Sequence, residues 1–259
     1  MIVMQPVERT GIQQELNEGL AGALPLGRSS FDVSMAAAFA PILRADPARP
    51  FVVAQLGQSL DGRIATTTGE SRYINGTGAL DHLHALRAHV DAVVVGIGTV
   101  LADDPQLTVR RVPGQSPVRV ILDPNGKLPD HARCFDNAGP PCLVVRSIDR
   151  PTPDRVENLL LPSDAHGQID PSDIVDALFA RGMRRLLIEG GADTISRFID
   201  ADCVDRLHVL VAPVIIGSGK ASLDLAPVGD LKKALRPPVG VYVLPSGDVL
   251  FDCDLRATA

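Results

Sequence analysis

From residue 50 onward the chain alternates short apolar runs with amphipathic stretches. PFVVAQLG, rich in β-branched residues, predicts a strand over 50–57. DAVVVGIG (91–98), VRVILD (118–123), PCLVVRS (141–147) and RRLLIEGG (184–191) are further continuous apolar runs, as a sheet covered on both faces requires. Helix patterns separate several of them. Over 79–90, Leu83, Leu86 and Val90 recur at helical spacing, with Ala79 one turn earlier. Over 171–181, Pro171 takes the first helical position and Ile174, Leu178 and Phe179 are apolar. A short helix is predicted over 193–199 and a long strand over 206–217. A hairpin over 241–255 turns at Pro245-Ser246-Gly247-Asp248. This alternation predicts an α/β fold with a mostly parallel central sheet, and the closing hairpin an antiparallel edge.

Residues 1–49 have a different texture. A short amphipathic helix is predicted over 12–20, followed by PLGRSS, the Ala-rich SMAAAFA and the break ADPARP. We read 1–49 as an N-terminal extension without chemistry of its own, and 50–259 as the functional domain.

Composition narrows the function. The chain has 25 Lys+Arg against 31 Asp+Glu, a formal charge of −6, so it lacks the basic footprint that nucleic-acid binding needs. Seven Phe, two Tyr and no Trp leave little for base stacking. The longest uncharged apolar run, 207–219, falls short of the roughly 18 residues of a membrane span, and no signal peptide is visible. Cys134, Cys142, Cys203 and Cys253 are widely spaced and read as buried free thiols, which fits a cytoplasmic protein.

Familiar motifs fail on inspection. Gly96-Ile97-Gly98-Thr99-Val100-Leu101 has Leu where a dinucleotide fingerprint needs its third Gly. Gly217-Ser218-Gly219-Lys220 lacks the earlier Gly and the following hydroxyl of a P-loop. There is no G-x-S-x-G, H-E-x-x-H or zinc-deaminase signature. His82 and His84, two apart on a helix, point apart and read as solvated side chains rather than metal ligands.

What remains is a set of glycine-bearing strand ends: Gly57-Gln58-Ser59-Leu60-Asp61-Gly62, Gly96 to Thr99 leading to Asp103-Asp104-Pro105, and Glu189 to Thr194. In an open α/β sheet, ligands sit at such carboxyl ends. Glycines there admit backbone N–H groups to a phosphate. Three together point to a phosphate-bearing cofactor without saying which one.

FVVAQLGQSLDGRIATTTGESRYI, LHALRAHVDAVVVGIGTVLADDPQLTVR, PVRVILD, LLIEGGADTISRFI and VDRLHVLVAPVIIG occur in the order found in the pyrimidine reductases of riboflavin biosynthesis. The chain resembles this family over roughly residues 50–255. The resemblance implies a dihydrofolate-reductase-like three-layer sandwich, a homodimer, and NADPH-dependent reduction of a ribosylamino-pyrimidine phosphate to its ribitylamino form. It places Gly57, Tyr73, Gly98, Thr99, Asp103 and the turn Gly190, Gly191, Ala192, Asp193, Thr194 and Ile195 at the cofactor. It places Ser71, Arg87, Leu107, Arg110 and Glu189 at the substrate. Their chemistry agrees: two guanidiniums can clamp a phosphate, and a carboxylate can accept from a pyrimidine N–H. A surface ion pair for the arginines and a helix-capping role for Glu189 are the plainer alternatives. Tyr73 stands where many members have Trp, and residues 1–49 replace the deaminase domain of the bifunctional members.

Hydride transfer to C1′ also needs a proton, for which Asp103 and Asp61 are the candidates, although Asp61-Gly62 also suits a turn. Arg146-Ser147, ending a strand, is the expected contact for the 2′-phosphate of NADPH. A same-fold reductase of a pterin and a non-catalytic nucleotide-binding protein remain as alternatives. The apolar run 207–217, read as an exposed edge strand, is the expected dimer contact.

Overall fold

The computed structural model describes residues 30–136, 139–154 and 156–257. The helix expected over 12–20 lies outside them. Ala38–Ala259 form one compact unit, and of the unit before it the described part is the start of helix α1 (Ser30–Leu43). The Ala-rich stretch is the body of this helix.

The chain then runs β1 (Phe51–Ser59), β2 (Arg63–Thr66), α2 (Thr77–His89), β3 (Ala92–Gly96), α3 (Ile97–Asp103), β4 (Val118–Leu122), β5 (Cys142–Arg146) and β6 (Val156–Leu160). It continues through α4 (Pro171–Ala180), β7 (Arg185–Glu189), α5 (Ala192–Asp200), β8 (Arg206–Ala212), β9 (Gly219–Ala221), β10 (Val239–Val243) and β11 (Val249–Asp254). Among the described residues nine strands form one sheet in the order β10-β11-β8-β1-β7-β3-β4-β5-β6, and β2 pairs with β9 separately. From β8 to β6 every pairing is parallel, while β11 runs antiparallel to β8 and to β10.

Two-residue alternation sorts the parallel strands into two faces. Val52, Ala54 and Leu56 of β1, Val94 of β3, Val120 of β4 and Ile188 of β7 pack on Ile174 and Leu178 of α4 and Ile195 and Phe198 of α5. The opposite face carries Gln55 and Glu189, which are register partners, and α2 reaches it through Arg87. The result is a three-layer sandwich. Asp170 caps α4 by accepting from the Ser172 N–H at 2.8 Å, and Pro171 takes the first helical position, as its pattern predicts.

The strand expected over 206–217 is shorter and differently placed. β8 ends at Ala212, where Pro213 cannot donate to the ladder, and it lies between β1 and β11 with both edges paired. Among the described residues the sheet ends instead at β10 on this side and at β6 on the other, and on β10 Val239, Val241 and Val243 are exposed. The hairpin turns where expected, with the Leu244 N–H donating to the Asp248 carbonyl at 2.8 Å. Helix α3 went unforeseen, because its seven residues begin inside what reads as a glycine loop.

Candidate active site

A cavity of about 690 Å³ opens at the carboxyl ends of β1, β7, β3 and β4. Helices α3 and α5 both start there, and their starts lock together. Thr99 Oγ1 of α3 accepts the Gly191 N–H at 3.0 Å. A Cβ at Gly190, whose φ is +106°, would lie 2.4 Å from that same oxygen. A Cβ at Gly96 would lie 2.3 Å from Thr194 Oγ1. Two glycine–threonine contacts therefore hold two sets of free backbone donors side by side, a cradle suited to an anion. Gly57 acts differently: a Cβ there would lie 2.0 Å from Asn75 Oδ1, so the glycine makes room for Asn75. Asn75 in turn donates to the Leu210 carbonyl and to Asp248 Oδ1, both at 3.0 Å.

Buried in the cavity wall, Arg87 and Glu189 form a fork. Arg87 Nε donates to Oε1 at 2.8 Å and Nη2 to Oε2 at 2.6 Å, with Nη1 on the Thr108 carbonyl at 3.1 Å. Each side chain is 7% exposed. Burial by itself would lower the Arg87 pKa, but the charge and hydrogen bonds of Glu189 raise it above the ordinary value. Sequence reasoning treats these two as separate substrate contacts. They instead neutralise each other, so Arg87 is not a free phosphate clamp.

Of the other expected substrate residues, Ser71 and Leu107 line the cavity, Leu107 with a φ of +57°. Arg110 lies on an exposed loop outside the cavity lining, its Nη1 on Thr108 Oγ1 at 2.5 Å. Partial burial and the charges of Arg87 and Arg133 lower its pKa. Its backbone N–H donates to His84 Nδ1 at 2.9 Å, while neighbouring Arg111 pairs with Asp81 at 2.7 Å.

Of the expected cofactor residues, Gly57, Gly98, Thr99, Asp103, Gly190, Gly191, Asp193 and Thr194 line the cavity. Ala192 and Ile195 are buried behind it, Ile195 in the core between sheet and α5. Tyr73 is 83% exposed and lies outside the lining. Arg146 is buried and paired with Asp123 at 3.3 Å, and Ser147 Oγ donates to the Pro124 carbonyl at 2.9 Å; neither reaches the cavity. Arg146 is instead taken up locally: besides Asp123, its Nη1 donates to the Arg150 carbonyl at 2.9 Å and to Asn158 Oδ1 at 3.2 Å.

The two proton-donor candidates separate as well. Asp103 lines the cavity, and its carbonyl accepts from Arg72 Nη2 at 3.0 Å. Asp61 lies outside the lining, accepting from Ser59 Oγ at 2.6 Å, Ile216 N at 3.1 Å and Gly217 N at 2.6 Å. Those bonds, led by Ser59, pull its pKa down to about 2, so at neutral pH it ties the end of β1 to the loop after β8 as a carboxylate. His82 and His84 are buried rather than solvated: His82 Nε2 meets His208 Nδ1 at 3.0 Å, and Phe39 packs on the His82 ring.

The cavity also gathers Asn125, Lys127, Gln168, Arg197 and Lys220, which sequence reasoning missed. One signal was available: Asp123-Pro124-Asn125-Gly126-Lys127 is a fourth glycine-bearing strand end, after β4.

Comparison with known proteins settles the family. Residues 50–236 match the RibD C-terminal domain. The chain belongs to that family. This RibD-type domain is 36% identical over 197 residues to the 2,5-diamino-6-ribosylamino-4(3H)-pyrimidinone 5′-phosphate reductase of Methanothermobacter thermautotrophicus, covering 73% of this chain and 90% of the relative. It is 33% identical over 189 residues to the riboflavin biosynthesis protein RibD of Aquifex aeolicus, spanning 53% of that longer protein and 73% of its own length. A deaminase/reductase structure from Thermotoga maritima superposes with a TM-score of 0.71 at 29% identity, over 86% of this chain and 61% of the other. The yeast riboflavin biosynthesis reductase Rib7, at 24% identity and a TM-score of 0.70 over 86% and 99% of the two chains, shares the fold.

Proposed function

We propose that this RibD-type domain is an NADPH-dependent reductase that converts a 6-ribosylamino-pyrimidine 5′-phosphate to its ribitylamino form in riboflavin biosynthesis. The observation that carries this reading is the Arg87–Glu189 fork standing in the same cavity as the joined starts of α3 and α5. One region suits a polar heterocycle and the other a dinucleotide. The cavity volume, about 690 Å³, falls within the range of small-molecule and cofactor sites.

The chain's own groups then divide the work. The N–H groups at the start of α5 hold the pyrophosphate, with Thr99 fixing the turn that presents them. Glu189, oriented by Arg87, has further lone pairs to accept pyrimidine N–H groups. To Asp103, the one of the two candidate carboxyls that lines the cavity, we assign delivery of the proton to the substrate nitrogen. Arg110, with no carboxylate partner among the described residues and with Arg133 nearby, meets the 5′-phosphate. When bound, reduced nicotinamide supplies the hydride for C1′ of the open-chain sugar. Burial and orientation, rather than covalent chemistry, are the protein's contribution.

The reductase unit in this reading is 50–259, with 1–49 accessory, although Phe39 and Ile42 are already buried in the main unit. We place the protein in the cytoplasm; no helix among the described residues is long and apolar enough to cross a membrane. The exposed valines of β10 support a homodimer.

Loss of reduced-nicotinamide absorbance tests the reading, with the 5-amino-6-ribosylamino-pyrimidinedione 5′-phosphate and its 2,5-diamino precursor assayed in parallel. Both are needed, because the Methanothermobacter relative is named for the diamino form and the Thermotoga structure for a uracil. Turnover of either supports the assignment, and oxidation with neither overturns it.

A further inference from the structure

We propose that Cys134 and Cys142 form a redox dithiol, a site of reversible disulfide formation under peroxide, with Cys134 as the attacking sulfur and the buried Arg119 as its cation. The pair lies outside the lining of the reductase cavity, and its chemistry is independent of that reading.

Cys134 and Cys142 are buried, while Cys203 and Cys253 are partly exposed. Cys142 opens β5, and Cys134 lies on a 3-10 turn, Arg133–Phe135, in the connection from β4. The two buried thiols hydrogen-bond to each other. Arg119 of β4 is the register partner of Cys142, so neighbouring parallel strands carry the guanidinium and the thiol on one face.

Arg119 is 3% exposed, a burial that a guanidinium tolerates only with partners. Its Nη2 donates to the carbonyls of Asp136, at 3.1 Å, and of Pro140. These two residues stand just after Cys134 and just before Cys142 in the chain. A Cβ at Gly139 would lie 2.8 Å from Nη1, so the backbone closes on the guanidinium there as well. Nε and Nη1 are nevertheless buried with no hydrogen-bond partner among the described residues. A cation with two unmet donors beside a thiol favours the thiolate.

The two thiols respond unequally. The hydrogen bond from Cys142 pulls the Cys134 pKa below its usual value; burial opposes this, and the charge of Arg119 adds to it. The bond to Cys134, followed by burial, pushes Cys142 up, so that Cys142 keeps its proton. A surface hollow of about 470 Å³ is lined by Ala132, Arg133, Phe135 and Asp136, the residues flanking Cys134, and gives a small oxidant an approach.

The Cys134 thiolate attacks one peroxide oxygen: an S–O bond forms, the O–O bond breaks, and hydroxide leaves and takes up the proton that Cys134 released. The Cys142 sulfur then attacks the sulfenic sulfur; the S–S bond forms, the S–O bond breaks, and the oxygen departs as water with the Cys142 proton. Two thiols and one hydrogen peroxide thus give one disulfide and two waters.

The test treats the full chain with hydrogen peroxide, alkylates the remaining thiols and maps the peptides by mass spectrometry. A Cys134–Cys142 disulfide that dithiothreitol reverses should appear while Cys203 and Cys253 are still alkylated. Cys142→Ser should stop at a Cys134 sulfenic acid that dimedone traps, and Cys134→Ser should leave Cys142 a thiol. Arg119→Met should slow disulfide formation by about 10-fold, the scale on which one lost neighbouring charge cuts the thiolate fraction. Oxidation of Cys203 and Cys253 with Cys134 and Cys142 still reduced overturns the proposal, as does dimedone on Cys142 in the Cys134→Ser protein. A rate no slower in Arg119→Met overturns the part given to the arginine.

Discussion

Arg87 on α2 and Glu189 at the end of β7 meet as a two-bond fork, at 2.8 and 2.6 Å, although 102 residues separate them in the chain. The pair is a structural strut and a wall of the cavity at once. Removing one partner leaves a buried charge uncompensated, which costs on the order of 3 to 5 kcal/mol. Arg87→Ala and Glu189→Ala should therefore each lower the urea midpoint sharply. The double change Arg87→Met with Glu189→Leu should recover most of that stability without recovering turnover. A double variant as unstable as the singles would show that the loss is not one of unpaired charge.

Arg110 and Arg111 are neighbours with opposite circumstances. Arg110 has cations nearby, whereas Arg111 holds Asp81 in an exposed pair. Arg110→Ala should reduce kcat/KM by roughly 10- to 150-fold with NADPH affinity nearly unchanged, through loss of a contact worth about 1.5 to 3 kcal/mol. Arg111→Ala should stay near neutral, since exposed pairs contribute roughly 0 to 1 kcal/mol. Equal damage from both substitutions would mean that the substrate phosphate binds elsewhere.

Acid should destabilise the fold through its buried histidines. Burial, followed by the charges of Arg87, Arg110 and Arg111, lowers His84 from 6.5 to about 4. Burial, then His208, also lowers His82 well below its ordinary value. Between pH 6.5 and about 4 the unfolded chain binds a proton at His84 that the folded chain refuses, so stability falls as pH drops through that window. His84→Gln keeps an acceptor for the Arg110 N–H and removes this share of the loss. Urea midpoints at pH 7 and pH 5 should therefore differ less in the variant than in the parent.

Gly57→Ala separates a packing role from the cofactor contact that the family resemblance implies. The new methyl would lie 2.0 Å from Asn75 Oδ1 and displace a side chain that ties α2's approach to Leu210 and Asp248. We expect a stability loss of roughly 1 to 3 kcal/mol, measurable without any ligand. An unchanged melting temperature combined with weaker NADPH binding would return Gly57 to the cofactor.

Light scattering addresses the β10 edge of the sheet. With Val239, Val241 and Val243 exposed on β10, the chain should dimerise at micromolar concentration, and Val241→Asp should return a 27.4 kDa monomer. A parent that is already monomeric sinks the dimer.

Local pattern determined much of this protein. Uninterrupted apolar runs made β1, β3, β4, β5 and β7 legible, because strands covered on both faces admit few polar residues. Periodicity and Pro171 marked α2 and α4, and the glycine pair after β7 marked the start of α5. Ordered motifs then sufficed to name the family. What the tertiary structure alone decided was partnership. Which charges cancel depends on the strand order: β7 lies between β1 and β3, far from either in sequence, and this brings Glu189 to Arg87. The same order put β8 between two neighbours and left β10 and β6 as the edges. Local partners, Asp123, Asn158 and the Arg150 carbonyl, took up Arg146, while Lys127 in the loop after β4 lines the cavity. Periodicity is a property of a few adjacent residues, whereas an ion pair is a property of two distant ones. Composition and spacing carry no information about which distant carboxylate a given guanidinium will meet.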